Sequence, residues 1–117
     1  MLNIRSITFD CADPVALAEF WAAALNYGLG EGDENEMVAD APAGQGPRLL
    51  FIKVPEGKAI KNRLHLDLKP EGSKEAEVAR LVGLGGQVVK AYDEPGMTWT
   101  VMQDPEGNEF CVERGPS

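Results

Sequence analysis

Histidine and cysteine are scarce in this chain. Among its 117 residues there is one histidine, His65, and there are two cysteines, Cys11 and Cys111. Two cysteines make no disulfide framework, so both read as reduced thiols of a cytoplasmic protein. No Cys-x-x-Cys pair occurs. Long apolar runs are missing as well: none approaches the roughly 20 residues that a membrane span needs. The opening Met1-Leu2-Asn3-Ile4-Arg5 runs straight into a strand-like pattern and lacks the order of a signal peptide. Phosphate loops of the Gly-x-x-x-x-Gly-Lys and Gly-x-Gly-x-x-Gly kinds are absent, as is a Gly-x-Ser-x-Gly elbow. Positive charge is short too, with 11 Lys and Arg against 19 Asp and Glu, a net charge of −8. Such a chain repels phosphate backbones, which argues against nucleic acid as a partner and weakly favours a cationic ligand.

What is present is a core and a repeat. Hydrophobic residues make up 44% of the chain, enough for one sizeable core, and the length suits a single domain. Ile7, Phe9 and Cys11 alternate with Ser6, Thr8 and Asp10, the period of a half-buried strand. Asp13-Pro14 then opens a helix, Asp as N-cap and Pro at the first helical position. That helix runs through Leu17, Phe20, Trp21 and Ala24 to an Asn26-Tyr27-Gly28 exit. The second half repeats the order. Leu64, Leu66 and Leu68 alternate with Arg63, His65 and Asp67, and Ser73 caps a helix through Val78, Leu81 and Val82 that ends at Gly85-Gly86. With Ser6 set against His65, Leu25 falls on Leu84 without a gap.

Each half closes with strands. In the first half these are 36–40 and 48–54, around a turn at 41–44. In the second they are 87–91, 98–103 and 109–113, the last two joined by the turn Asp104-Pro105-Glu106-Gly107-Asn108. The stretch 55–62 reads as a linker. The expected organisation is one α+β domain over 1–117, with module 1 at about 1–54 and module 2 at about 63–117. The loops 28–35 and 92–97 are expected to be exposed and mobile.

Three segments carry a resemblance: Asp13-Pro14 with the alanine-rich helix bearing Phe20-Trp21, the strand Leu64-His65-Leu66-Asp67-Leu68, and Asp104-Pro105-Glu106-Gly107-Asn108-Glu109-Phe110-Cys111. Together they resemble the vicinal oxygen chelate superfamily, and within it the glyoxalase-like, bleomycin resistance protein-like branch. The resemblance implies two βαβββ modules whose curved sheets pair to form a cleft, the glyoxalase/bleomycin-resistance/dioxygenase fold. It also implies metal-ligand positions on the first and last strand of each copy. These fall on Ser6 and near Leu50 in the first copy, and on His65 and Cys111 in the second. Serine and leucine cannot replace a carboxylate and an imidazole, and a catalytic divalent ion wants three or more protein donors.

Alternation sorts the side chains by face. Ile7, Phe9, Cys11, Leu66, Leu68, Phe110 and Val112 are expected under the helices. Ser6, Thr8, Asp10, His65, Asp67, Glu109, Cys111 and Glu113 fall on the opposite face, where polar groups are costly unless paired or hydrated. His65 is the candidate acid or base, with Asp67 or Glu109 to orient it. Cys111 reads either as a nucleophile or as a small filler. Trp99, placed with Met102 on the strand bordering the cleft, reads either as core or as a surface on which a ligand stacks.

The expected function is binding of a small polar or cationic molecule in the cleft, with no metal and no other cofactor. The alternative is a metal-dependent lyase, isomerase or dioxygenase of the glyoxalase type, with a divalent metal on His65. The residues alone leave open whether the protein is an enzyme. A small-molecule ligand and a second copy of the chain in a homodimer are the expected partners, with neither nucleic acid nor membrane.

Overall fold

The computed structural model describes residues 1–114. The last three residues of the expected second module lie outside the described residues. Two compact units divide the chain, Met1–Lys58 and the stretch from Ala59 onward.

The first unit contains β1 (Ser6–Cys11), α1 (Pro14–Leu25), β2 (Gly28–Leu29), β3 (Glu36–Asp40) and β4 (Arg48–Lys53). The second contains β5 (Asp67–Leu68), α2 (Lys74–Gly83), β6 (Gln87–Glu94), β7 (Met97–Gln103) and β8 (Glu109–Arg114). The sheets have the same strand order, β1-β4-β3-β2 and β5-β8-β7-β6. In both, the first strand pairs in parallel with the last, and the remaining neighbours are antiparallel. Each unit is therefore one βαβββ copy, and the architecture is α+β.

Local chemistry sets the helix ends. The Asp13 carboxylate accepts the Ala16 N–H at 3.2 Å, and Pro14 occupies the first turn. Asn26 stops α1 in the left-handed conformation, φ 57°. Ser73 caps α2 by accepting the Ala76 N–H at 3.1 Å.

The core of the first unit is aromatic. Leu17, Ala18, Phe20, Trp21 and Ala22 of α1 are buried, with Ala39, Leu49 and Phe51 from the sheet. Phe9 and Phe51 are register partners on β1 and β4, and their rings stack at 5.1 Å. Trp21 meets Phe9 at 5.5 Å and Phe20 edge-on at 5.4 Å. Burying a ring such as Phe51 contributes about 2–3 kcal/mol. In the second unit Leu81, Met102, Phe110 and Val112 are buried. The polar pair Lys74–Thr100 is also buried, the ammonium donating to Oγ1 at 2.9 Å.

Several expectations are corrected. The strand expected over 63–68 pairs in strand geometry only at Asp67–Leu68, and Leu64 is exposed. Gly28–Leu29 forms a short strand instead of loop. The 92–97 loop is a tight hairpin: β6 continues to Glu94, pairs with Met97, and turns at Pro95-Gly96 with Gly96 at φ 80°. The helix through Val78, Leu81 and Val82 forms as α2, with Leu81 buried against the sheet and Val82 exposed. Met102 is fully buried; it alternates away from Trp99 and packs in the core.

Candidate functional site

The clustered chemistry lies in the second unit. Register fixes which side chains share a face, because directly paired residues point to the same side of a sheet. Asp67 pairs with Cys111, and Cys111 with Val101. Glu113 pairs with Trp99, and Trp99 with Tyr92. Glu109 pairs with Gln103. Asp67, Glu109, Cys111, Glu113, Trp99 and Tyr92 therefore occupy one face, opposite the buried Phe110, Val112 and Met102. This is the polar face expected from the alternation.

His65 joins it from outside the sheet. It lies between a bend at Arg63-Leu64 and β5, and Leu66 accepts the Cys111 N–H at 2.9 Å, which holds the segment against β8. His65 Nδ1 lies 3.0 Å from Asp67 Oδ1. An ionised carboxylate only accepts, so in this contact Nδ1 is the donor. The two side chains are 41% and 45% exposed, and a pair in that setting stabilises a fold by only about 0–1 kcal/mol. Fold stability therefore does not explain the arrangement.

Asp67 also contacts Cys111. Partial burial raises the thiol above its ordinary value, and the Asp67 charge, the hydrogen bond to Asp67 and the Glu113 charge push the same way, with Lys61 opposing. The thiol stays protonated near neutral pH and is a poor nucleophile. Of the two readings of Cys111, the half-buried filler fits this setting. The ligand atoms of His65, Asp67 and Cys111 all lie within 4.8 Å of one another.

Of the two carboxylates that could orient His65, the structure brings Asp67 to it. Glu109 accepts the Asn62 N–H at 2.9 Å and secures the segment leading to β5. Trp99 is half-buried and stacks on Tyr92 at 4.9 Å with 8° between the planes. The Lys90 ammonium sits 4.9 Å from the Tyr92 ring centroid, so this stack already holds a cation. The sequence pattern puts Tyr92 in the 92–97 loop, so alternation gives no sign that it shares a face with Trp99. An open depression of about 590 Å³ at the β6–β7 hairpin is lined by Asp93, Met97 and Arg114 among others, and includes none of the cluster.

Ser6, Thr8 and Asp10 lie on β1 of the first unit, and Thr8 and Asp10 are exposed. Thr8 pairs with Leu50 as Asp67 pairs with Cys111, so Leu50 is the counterpart of Cys111 and Thr8 of Asp67. At these two places the first copy thus repeats the pairing with neither the carboxylate nor the thiol.

A family model for the glyoxalase-like domain matches residues 6–113. The chain belongs to the glyoxalase-like domain family. Solved structures of similar fold include a glyoxalase/bleomycin resistance protein/dioxygenase family enzyme from Burkholderia phytofirmans PsJN. It is 18% identical, with a TM-score of 0.77, covering 96% of this chain and 98% of that one. A glyoxalase-related enzyme from Fulvimarina pelagi is 20% identical, with a TM-score of 0.76, over 99% and 90%. An antibiotic binding protein from Streptomyces sp. CB03234 is 17% identical, with a TM-score of 0.70, over 98% and 97%. These likenesses establish the glyoxalase/bleomycin resistance fold. No curated protein matches the sequence. No helix among the described residues is long and apolar enough to cross a membrane.

Proposed function

We propose that this glyoxalase-like protein binds a small polar or cationic molecule on the polar face of its second module, without a metal. The observation that carries this reading is the sharing of one face by the Trp99–Tyr92 stack, Glu113 and the His65–Asp67 pair. A flat cation stacks on an aromatic ring while a neighbouring carboxylate balances its charge. The His65 ring then offers a directional hydrogen bond. Binding needs only such shape and a few placed polar groups. The antibiotic binding protein among the structural relatives supports the same class of activity. The thiol of Cys111 is held protonated, and Ser6 and Leu50 supply no donors of the kind the metal positions of the family carry, which supports the metal-free form.

Trp99 provides the test. In a Trp21→Phe background it is the remaining tryptophan, and a panel of cationic aromatic compounds is expected to quench it saturably and raise the melting temperature. Trp99→Leu and Glu113→Gln should each weaken that response. A panel that binds equally well to both variants overturns the reading.

One observation favours a second reading. Nitrogen, oxygen and sulfur donors within 4.8 Å of one another fit a thiophilic divalent ion that keeps open positions. His65, Asp67 and Cys111 would hold it, with loss of the thiol proton. Such an ion supplies Lewis-acid polarisation of a substrate oxygen, the chemistry of a lyase, isomerase or dioxygenase. Stoichiometric zinc, nickel, manganese or iron in protein purified without chelator, lost in His65→Ala, would establish it against the metal-free form. The proposal further takes the two modules as one domain, located in the cytoplasm and paired as a homodimer. Light scattering of the purified chain tests the last point.

A further inference from the structure

The first module carries an unanswered donor. Arg48 Nε is buried and has no hydrogen-bond partner among the described residues. Among the described residues no carboxylate forms an ion pair with Arg48. In a chain with 19 acidic side chains this is unusual, since a buried donor left unpaired loses its water without a replacement.

The setting shows what is missing. Arg48 opens β4 and pairs directly with Ser6 on β1. The next pair on that face is Thr8 with Leu50, and Val38 of β3 pairs with Leu50 on its other side. The face thus offers a guanidinium beside hydroxyl groups, followed by an apolar floor. The start of β4 is fixed, because the Tyr27 hydroxyl donates to the Pro47 carbonyl at 3.2 Å. Asp40, at the end of β3, turns elsewhere: its Oδ2 would lie 2.8 Å from a Cβ added at Gly30.

By register Arg48 is the counterpart of Glu109. In the second module the Glu109 carboxylate is answered by the Asn62 N–H. In the first module the charge is reversed, the group at this place is a donor, and none of the described residues supplies an acceptor for its Nε.

We propose that Arg48, with Ser6 and Thr8, binds the carboxylate of a small organic acid whose apolar body lies over Leu50 and Val38. A guanidinium presents Nε and one Nη as a planar fork that matches the two oxygens of a carboxylate. This goes beyond the ligand proposed for the second module and stands independently of it, since it uses different residues and the opposite charge.

The test follows the Arg48 Nε–H signal in a proton–nitrogen correlation spectrum of the full chain. Benzoate is titrated first, and inorganic phosphate in a separate series. Saturable movement of that signal and of the Ser6 amide with benzoate is expected, with phosphate distinctly weaker. Arg48→Lys should weaken benzoate about tenfold, because an ammonium lacks the fork. Arg48→Met should abolish the response while keeping a dispersed spectrum. If the Met variant fails to fold, the Lys variant decides. Phosphate binding as tightly as benzoate overturns the carboxylate assignment. No saturation with either probe, or full benzoate binding by Arg48→Lys, overturns the site.

Discussion

Asp104 is expected to be the most sensitive polar position in the second unit. Its side chain is 2% exposed and sits at the head of the 104–108 turn. Oδ1 accepts the backbone N–H of Glu106 at 2.9 Å and of Asn108 at 3.0 Å. The Asn108 side-chain amide donates to Oδ1 at 3.2 Å and to Oδ2 at 2.9 Å. The backbone closes the same turn, Asp104 N–H to Asn108 O and Gly107 N–H to Asp104 O, both at 2.9 Å. Asp104→Ala strands two backbone donors and one amide in a half-buried turn. At about 1 kcal/mol for each stranded group the loss is about 3 kcal/mol. For a chain of this size that corresponds to a drop in melting temperature of roughly 10 °C.

Asp104→Asn keeps one acceptor oxygen for the backbone donors and sets an amide against the Asn108 amide, so its cost should fall between wild type and alanine. Urea denaturation followed by Trp99 fluorescence in a Trp21→Phe background reports the second unit directly. The midpoint should fall with an unchanged slope. A loss below about 0.5 kcal/mol for Asp104→Ala, the range of an ordinary surface substitution, would refute the reasoning. So would an asparagine variant less stable than the alanine one.

The remaining predictions concern charge and caps. Asp67→Asn removes a charge that raises the Cys111 thiol, so alkylation of Cys111 by iodoacetamide at pH 8 should speed up, as mass spectrometry of the modified peptide will show. Because the folded thiol lies above its ordinary value of 9.0, its contribution to stability is complete below pH 9 and is lost as the pH rises through the native value. Cys111→Ser should therefore flatten the alkaline limb of a stability–pH curve. Lys74→Met leaves the buried Thr100 hydroxyl without its donor and should cost about 1–2 kcal/mol, whereas Lys74→Met with Thr100→Val should recover most of that in chemical denaturation. Ser73→Ala removes the N-cap of α2 and should cost about 1 kcal/mol by the same measurement.

Patterns with a strong local cause were legible in the sequence. Asp13-Pro14 and Ser73 act within a few residues of themselves, so their caps appear where the sequence places them. The alternation of Ile7, Phe9 and Cys11 is long enough to fix β1, and the duplicated strand order follows from recognising the repeat. Leu64 misled because alternation alone does not guarantee a pairing partner; β8 engages only Asp67 and Leu68 in ladder geometry. Tyr92 and Trp99 were split between loop and strand because the Pro95-Gly96 turn is tight enough for β6 to continue past Ala91. The choice of Asp67 over Glu109 as the partner of His65 was not readable, since Glu109 is occupied by Asn62, 47 residues away along the chain. Arg48 carried no signal at all, because an unanswered donor is visible only when its surroundings are known.

The difference between the copies begins at their first strands. β1 pairs with β4 over six residues, while β5 pairs with β8 over two. A side chain in a full ladder must project perpendicular to the sheet, and Ser6 is held in that way opposite Arg48. His65 is released from the constraint, because its segment bends before the ladder begins. Its ring meets the Asp67 carboxylate two residues on, a neighbour that the period of two places on the same side. The shortened strand loses ladder hydrogen bonds, and the Glu109–Asn62 and Cys111–Leu66 bonds retain the segment in their place. The Glu109 anchor and the Cys111–Leu66 bond thus set where His65 meets the sheet, and the period of two sets its side.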